Sequence, residues 1–193
     1  MYEYIQGTLA EVNPAYAIVE TGNIGYFINI SLHTFSNISG KKEVKLLIHQ
    51  IVRDDARLFF GFADKHEREI FRMLISVSGI GANTARMMLS TLSPTELSKA
   101  IMEADVNLLK SIKGIGVKSA QRVVVDLKDK VGTSGDASEI FKEESNTLKE
   151  ESLSALVMLG FSKASVQKVL EKILREERDI TVEELVKEAL KRL

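Results

Sequence analysis

The sequence contains no cysteine, which excludes disulfide bonds and thiolate metal sites. No stretch approaches the run of about 18 apolar residues that a membrane-spanning helix requires. The N terminus lacks the charged segment and apolar stretch of a secretory signal peptide. The P-loop pattern, GxxxxGK followed by Ser or Thr, is missing as well, which argues against nucleotide hydrolysis of that class. We therefore expect a cytoplasmic protein without membrane contact.

A strong net charge is also missing, since the formal net charge is −1. The charge is nevertheless unevenly distributed. Residues 64–131 carry 11 Lys and Arg against 8 Asp and Glu, whereas residues 132–193 carry 10 against 13. DNA phosphates attract the first segment and are repelled by the second. We expect the middle of the chain to bind nucleic acid and its C-terminal part to bind a protein.

The basic segment contains one pattern twice. Residues 74–92 read LISVSGIGANTARMMLSTL, and residues 109–127, 35 positions later, read LKSIKGIGVKSAQRVVVDL. Each copy has an apolar-periodic segment, a Gly-Ile-Gly turn and a second apolar-periodic segment, which predicts helix, hairpin turn and helix. The central Ile of each turn is expected to point inward and hold the hairpin closed.

The turn in each copy suits a phosphate group. Glycine allows positive φ and a close approach to the backbone, and the next helix begins with free N–H groups and the positive end of its dipole. A single Gly-x-Gly between helices is usually only a turn. Its repetition, with Lys118 and Arg122 in the second copy, favours two phosphate sites along one backbone. The copies resemble the helix-hairpin-helix motif, which binds DNA without reading bases.

Residues 1–63 are predicted to form a small barrel. Short segments with β character alternate with Gly, Asn and Asp turns, and one helical turn is predicted at 31–38. This order fits a five-stranded OB-like Greek-key barrel. The predicted strands are 1–12, 15–21, 24–30, 44–52 and 57–62.

An acidic loop, Arg53-Asp54-Asp55-Ala56, joins the last two predicted strands. Asp residues form turns through side-chain hydrogen bonds to the backbone. Adjacent carboxylates also bind metal ions in nucleases, although no further ligands cluster with them in the sequence. A third interpretation is an acidic tip that repels DNA phosphates. Local sequence leaves these interpretations open. The histidines, His33, His49 and His66, have no ligand spacing, so we assign them no chemistry and predict no metal or cofactor.

The remaining segments are predicted to be helical. Asp64, with Glu67 three residues later, starts one helix, and Ser93-Pro94 starts a connecting helix between the two copies. Residues 148–193 form three short helices, in which Leu156, Leu159 and Phe161 either dock a partner or form the core of this small domain. The predicted fold is multidomain α+β. Its parts are the barrel at 1–63, a tandem helix-hairpin-helix domain at 64–131, a flexible linker at 132–147 and a three-helix, UBA-like domain at 148–193.

The whole chain, in this order, resembles the RuvA family of Holliday-junction-binding proteins, which are subunits of the bacterial branch-migration complex. The resemblance covers all three segments. It rests on IGYFI at 24–28, VRDDARLFFGF at 52–62, KHEREIFRMLISVSGIG at 65–81, KGIGVKSAQRV at 113–123 and ALVMLGF at 155–161.

The resemblance implies a non-catalytic protein that binds four-way junction DNA as a homotetramer, or as an octamer of two tetramers face to face. It implies recruitment of the hexameric ATPase RuvB through Leu156, Leu159 and Phe161, with the resolvase RuvC as a further partner. Asp54 and Asp55 become an acidic pin at the crossover. The DNA-binding residues implied are Gly79, Ile80, Gly81, Ala82, Asn83, Gly114, Ile115, Gly116, Val117, Lys118 and Arg122.

Two features depart from the family pattern. The first hairpin of the family usually carries Gly-Pro-Lys after its middle residue, whereas Gly81 is followed here by Ala82-Asn83. DNA contact at this hairpin is therefore expected to rest on backbone N–H groups and Asn83. The linker is also short, which narrows the expected reach of the third domain.

Two other classes of function stay open from the sequence. One is a hairpin-containing DNA enzyme, such as a nuclease or glycosylase, with Asp54 and Asp55 binding a metal ion. Cleavage of junctions in the presence of Mg²⁺ would favour it. The other is a protein-interaction adaptor that uses the barrel and the three-helix tail. A lack of DNA affinity at low salt would favour that interpretation.

Overall fold

The N-terminal part of the chain is a closed five-stranded barrel, as predicted. The computed structural model describes residues 2–134, 144–176 and 180–193. Around the barrel the strand order is β1-β2-β3-β5-β4, with β4 closing onto β1. Strands β3 and β5 are parallel, and the other pairs are antiparallel. The strands are β1 (Tyr4–Val12), β2 (Tyr16–Thr21), β3 (Ile24–Ile30), β4 (Glu43–Val52) and β5 (Arg57–Phe62), and the short helix α1 (Leu32–Ile38) precedes β4.

Five helices follow the barrel and share a core with its outer face. Phe60 and Phe62 of β5 lie against Phe71 of the first of these helices, with ring centroids 5.1 and 4.9 Å apart. All three rings are buried, and the barrel and these helices form one compact unit. The helices are α2 (Lys65–Ser76), α3 (Ala82–Thr91), α4 (Pro94–Met102), α5 (Val106–Ser111) and α6 (Val117–Ser134).

The predicted connecting helix is in fact two helices, α4 and α5. Ser93 and Glu96 form a complete capping box at the start of α4, as the sequence indicated. Ala104 then adopts a positive φ of 56°, which ends the helix, and Asp105 caps α5 by accepting the N–H of Leu108. Only the cap at Asp105 has a clear sequence signal, because alanine rarely adopts positive φ.

The second compact unit holds three helices, α7 (Glu144–Met158), α8 (Lys163–Glu176) and α9 (Val182–Arg192). Their shared core includes Val166, Leu170, Ile173 and Leu185, all buried. Helix α7 begins earlier than predicted, and α6 continues to Ser134, so both ends of the predicted linker are helical. Of the residues at these two ends only Glu144 is a strong helix former, so local propensity does not explain why both helices extend into the predicted linker. The middle of that linker, residues 135–143, lies outside the described residues.

Glu67 corrects one detail of the predicted cap. Asp64 accepts the N–H of Glu67 at 2.8 Å, as expected of a helix cap. The Glu67 carboxylate does not return to the cap but is fully buried, where it accepts hydrogen bonds from the hydroxyls of Ser31 and Thr34 and from the N–H of Ala63. It therefore ties α1 of the barrel to α2. Burial raises the pKa of Glu67, and the two hydroxyls oppose that shift.

Replacing Glu67 with alanine should lower the free energy of unfolding by about 3 kcal/mol, because two buried hydroxyls lose their acceptor. Glu67→Gln gives the pH dependence, since glutamine does not titrate. A raised pKa means that the folded state holds the proton more tightly than the unfolded state, so the contribution of Glu67 is lost as pH rises from about 4.5 through the raised value. Urea unfolding of wild type and Glu67→Gln should show the free energy of unfolding of wild type falling relative to that of Glu67→Gln as pH rises over this range. A wild type that instead gains stability relative to Glu67→Gln with rising pH would contradict the assignment.

Candidate nucleic-acid interface

The two hairpins have the same backbone geometry. Gly79 and Gly114 have φ of 92° and 90°, so both turns use a conformation that favours glycine. Ile80 and Ile115 are each 5% exposed and belong to the shared core, which confirms that they hold the hairpins closed. Three hydrogen bonds recur. In the first hairpin the N–H groups of Val77, Ile80 and Ala85 donate to the carbonyls of Leu74, Val77 and Gly81, and in the second those of Ile112, Ile115 and Ala120 donate to Leu109, Ile112 and Gly116.

The glycine that precedes each second helix leaves the helix N terminus open. Gly81 is the N-cap of α3 with φ −85° and ψ 165°, and it supplies no side-chain cap. Among the described residues, no group accepts the N–H of Ala82, Asn83 or Thr84. A Cβ atom added at Gly81 or Gly116 would meet nothing within 4 Å. Packing within the chain therefore does not require these glycines, whereas an incoming phosphate would benefit from the bare backbone.

Gly81→Ala should separate binding from stability. Its extended conformation accepts alanine, and the lower entropy of the unfolded chain offsets the poorer N-cap, so the free energy of unfolding should change by less than about 1 kcal/mol. DNA affinity should fall, since a methyl group then stands beside the free N–H groups. Gly79→Ala is the matched control for stability. Alanine at the positive φ of Gly79 should lower the free energy of unfolding by about 1–2 kcal/mol. Thermal unfolding and DNA titration of both variants measure this. Unchanged affinity in Gly81→Ala would argue against phosphate contact there.

The two hairpins differ in charge. Lys118 is the second residue of α6 and is exposed, as are Lys110 and Lys113 just before it. Arg122 lies one turn further along α6, 3.8 Å from Asp126, and both side chains are largely exposed. A pair this exposed and this long contributes little, so Arg122 can turn to a phosphate. The second hairpin thus combines free N–H groups with a cluster of cations.

The first hairpin has no exposed cation in the corresponding positions. Asn83 and Met87 stand where the second hairpin has Lys118 and Arg122, and both are exposed. Arg86 follows closely but its guanidinium is directed to the barrel, where it donates to the carbonyl of Ala15 at 2.8 Å. The expectation that this hairpin relies on backbone N–H groups agrees with the geometry.

The acidic loop is the tip of the β4–β5 hairpin. Asp54 and Asp55 are exposed, and the loop is closed by a hydrogen bond from the Arg53 N–H to the Ala56 carbonyl at 2.8 Å. Backbone bonding thus closes the turn. Neither Asp belongs to a group of three metal-ligating side chains in the described parts of the chain, which weakens the nuclease interpretation.

The one such group within residues 2–134, 144–176 and 180–193 is His33, Asp64 and Glu67, whose ligand atoms lie within 4.8 Å of one another. Sequence spacing did not reveal it, because folding brings His33 of α1 beside the start of α2. The Nε2 atom of His33 is 3.5 Å from Asp64. The oxygens of Glu67 already accept bonds from Ser31, Thr34 and Ala63. The arrangement serves as a structural link between barrel and helices.

The segment ALVMLGF forms the end of α7 and its turn. Gly160 has φ 101°, and the N–H of Phe161 donates to the carbonyl of Leu156 while that of Gly160 donates to Val157. This is a Schellman motif, in which the residues at either end of the turn make an apolar contact. Leu156 is fully buried and Phe161 packs partly against the same core. Of the two alternatives that the sequence left open for Leu156, the structure favours the core of its own domain.

The residues between Leu156 and Phe161 face outward. Met158 is 86% exposed, Leu159 62% and Val157 40%. Of the three predicted docking residues, only Leu159 is thus exposed, and the neighbouring Met158, which the sequence analysis did not single out, is more exposed still. Reading the six residues from Leu156 to Phe161 as one turn motif around Gly160 would have separated the buried from the exposed positions. Three adjacent exposed apolar side chains form a compact candidate surface for a protein partner.

Family models match the chain in the order of its units. They are described as the RuvA N terminal domain at residues 1–61, a SAM-like helix-hairpin-helix tandem at 71–129 and the RuvA C-terminal domain at 147–193. No helix in the described residues has the length and apolar character needed to cross a membrane.

Similar proteins are described as Holliday junction branch migration complex subunit RuvA. The chain is 53% identical to that of Bacteroides thetaiotaomicron, 52% to that of Christiangramia forsetii and 48% to that of Flavobacterium psychrophilum, and each comparison covers 100% of both chains. With this identity over the full length, and with three family models in the same order, the chain belongs to the RuvA family.

Proposed function

We propose that this chain binds four-way junction DNA without sequence preference and recruits the RuvB ATPase for branch migration. The observation that carries the proposal is the duplicated hairpin, which presents two open helix N termini in one compact unit. Each suits one phosphate, and phosphate contacts position a protein without reading sequence. The name of the full-length relatives, which includes a Holliday junction and a branch migration complex, supports the same function.

The proposed assembly is a homotetramer, alone or paired as an octamer. Four copies around an axis match the four arms of a junction. The barrel would then bring Asp54 and Asp55 to the centre, where their charge repels phosphates from the crossover. The proposed division of labour is barrel with pin at 1–63, DNA-binding hairpins at 64–131 and motor-binding helices at 148–193.

The chain is proposed to be a non-catalytic subunit, with the ATPase activity in RuvB. The pin residues have no third ligand nearby among the described residues, which supports a repulsive role over a metal-binding one. Incubating the protein alone with junctions and Mg²⁺ tests this. Strand cleavage that Asp54→Asn abolishes would establish the nuclease instead.

Junction specificity is tested by titrating a four-way junction and a linear duplex of matched sequence. Wild type should prefer the junction. Replacing Asp54 and Asp55 with asparagine should raise duplex affinity and lower the preference by roughly tenfold, because repulsion at close range is lost. Glu20→Gln, at an exposed acidic position elsewhere on the barrel, removes one negative charge and is the net-charge control for Asp54→Asn alone. Equal binding of both DNAs by wild type would refute junction specificity, and an unchanged preference in the double variant would leave the Asp pair as turn formers.

A further inference from the structure

The two helices of the first hairpin are attached to the barrel in different ways. Helix α2 joins the barrel through the aromatic core around Phe71 and through buried Glu67. Helix α3 borders an open surface groove of about 250 Å³ that is lined by Pro14, Leu32 and Met87, among others. One side of α3 belongs to the shared core through Ala85, Met88 and Leu89, and Arg86 and Ser90 on its other side line the groove next to the barrel. On that side, a few specific polar contacts connect α3 to the barrel.

Arg86 makes the principal contact of this kind. Its Nη1 atom donates to the carbonyl of Ala15 at 2.8 Å and to Oδ1 of Asn29 at 3.3 Å. Asn29 in turn donates through Nδ2 to the carbonyl of Phe59 at 3.1 Å. The guanidinium is thus connected to the loop before β2, to β3 and, through Asn29, to β5. Because a guanidinium is planar and its donors have fixed directions, it fixes orientation as well as distance.

A second contact lies one turn further along the same face of α3. The Ser90 hydroxyl accepts the N–H of Leu32 at 3.0 Å and donates to the carbonyl of Arg86 at 2.8 Å. Residues four apart on a helix are neighbours on its surface. Arg86 and Ser90 therefore hold one face of α3 against the barrel and the start of α1.

The Arg86 contacts are better suited to orientation than to stability. Burial lowers the pKa of Arg86, which reflects partial removal of the cation from water. Its acceptors are neutral oxygens, and no carboxylate in the described residues pairs with it. A partly buried cation with neutral partners gains little net stability, because desolvation opposes the hydrogen bonds. The corresponding residue in the second repeat, Gln121, is exposed and makes no such contact with the part of the chain that the structure describes.

We infer that Arg86 is a positioning residue that fixes the N–H groups of the first hairpin relative to the barrel, and hence to the acidic pin. This inference rests on the proposed function. The first hairpin has no exposed cation, so its phosphate contact depends on the direction of short hydrogen bonds. A linear duplex can be held by either hairpin alone, whereas a junction requires hairpins and pin in one fixed arrangement. Loss of Arg86 should therefore reduce junction preference more than DNA affinity in general.

The test compares Arg86→Met, Arg86→Lys, Asn29→Ala and the control Gln121→Met, which changes the equivalent position of the second repeat. Each is titrated with junction and matched duplex at several salt concentrations, at a temperature where unfolding curves show it fully folded. Arg86→Met and Asn29→Ala should each lower the ratio of junction to duplex affinity by roughly tenfold, and their double variant should lose little more, as expected of coupled residues. Arg86→Lys should recover part of the ratio, and Gln121→Met should keep it.

The salt dependence separates positioning from direct DNA contact. Positioning leaves the slope of log affinity against log salt unchanged. A slope reduced by about 0.9 for each subunit would show that Arg86 itself binds a phosphate, and would overturn the inference. An unchanged ratio in Arg86→Met would overturn it as well. If wild type itself lacks junction preference, the proposed function fails, whatever the variants do.

Discussion

Replacing Lys118 with alanine should lower the affinity for a four-way junction by about a thousandfold at physiological salt in a fourfold assembly, since each subunit loses one phosphate contact. Each contact contributes about 0.9 to the slope of log affinity against log salt, so the slope should fall by about 3.6. Lys118 is exposed beside the open N terminus of α6, so truncating its side chain removes no packing contact from the folded protein. Thermal unfolding should therefore be unchanged. Titration of a labelled junction between low and high salt measures both quantities.

Lys128→Ala is the matched control for this experiment. Lys128 is also exposed on α6, and its loss changes the net charge by the same amount, but it lies almost three turns from the hairpin. It should change the slope little. The loss in Lys118→Ala should be equal for junctions of different sequence, because phosphate contacts carry no sequence information. A loss of affinity confined to particular sequences would contradict binding to the DNA backbone. Equal losses in Lys118→Ala and Lys128→Ala would show that only the net charge of the protein matters, and not a contact at the hairpin.

Charge also explains why the two hairpins should not be equivalent. The second offers cations and N–H groups, and the first offers N–H groups alone. Counterion release, and with it most salt dependence, is therefore expected from the second hairpin. The first contributes direction more than attraction. DNA binding by the first hairpin should therefore depend more strongly on its orientation, which Arg86 fixes, than DNA binding by the second hairpin does.

The hairpins could be predicted from the sequence because their determinants are local. Positive φ at Gly79 and Gly114, the inward Ile and the open helix start all follow from residues within a few positions of each other. The barrel was predictable for a similar reason, since each strand and turn has its own short-range pattern. The pairing of β3 with β5 instead of β4 follows only from the fold class that the pattern fits, because strand spacing alone does not determine which strands are neighbours.

The errors arose where long-range contacts override a local pattern. Glu67 has the spacing of a capping-box residue, yet two hydroxyls of α1 and its cap, 36 and 33 residues away, bind its carboxylate instead. The proximity of His33 to Asp64 and Glu67 could not be predicted for the same reason. Leu156 and Leu159 looked equivalent as apolar residues in one segment. The turn at Gly160 places one inside and the other outside, and the two can be distinguished from sequence only by reading the whole segment as a Schellman motif.

The exposed residues at that turn lead to the second large effect. Replacing Met158 and Leu159 with serine should weaken binding of the RuvB motor by about a hundredfold, because exposed apolar side chains that a partner buries together dominate an interface. The domain itself should remain folded, since the two side chains are 86% and 62% exposed and contribute little to its core. Binding of purified RuvB by titration, and motor-driven branch migration of a junction, measure the effect.

Two comparisons make this result specific to the surface at the end of α7. Leu190→Ser removes another exposed apolar side chain from the same domain, on α9, and should leave motor binding intact. Leu156→Ala should lower the free energy of unfolding by about 2–5 kcal/mol, because it creates a cavity in the core, and should lose motor binding only as the domain unfolds. Junction affinity should be retained in the Met158 and Leu159 variant, because the hairpins proposed to bind DNA belong to the other unit. Full motor binding by that variant would show that the docking surface lies elsewhere on the three helices. A loss of both motor binding and junction binding would show that the two units do not act separately.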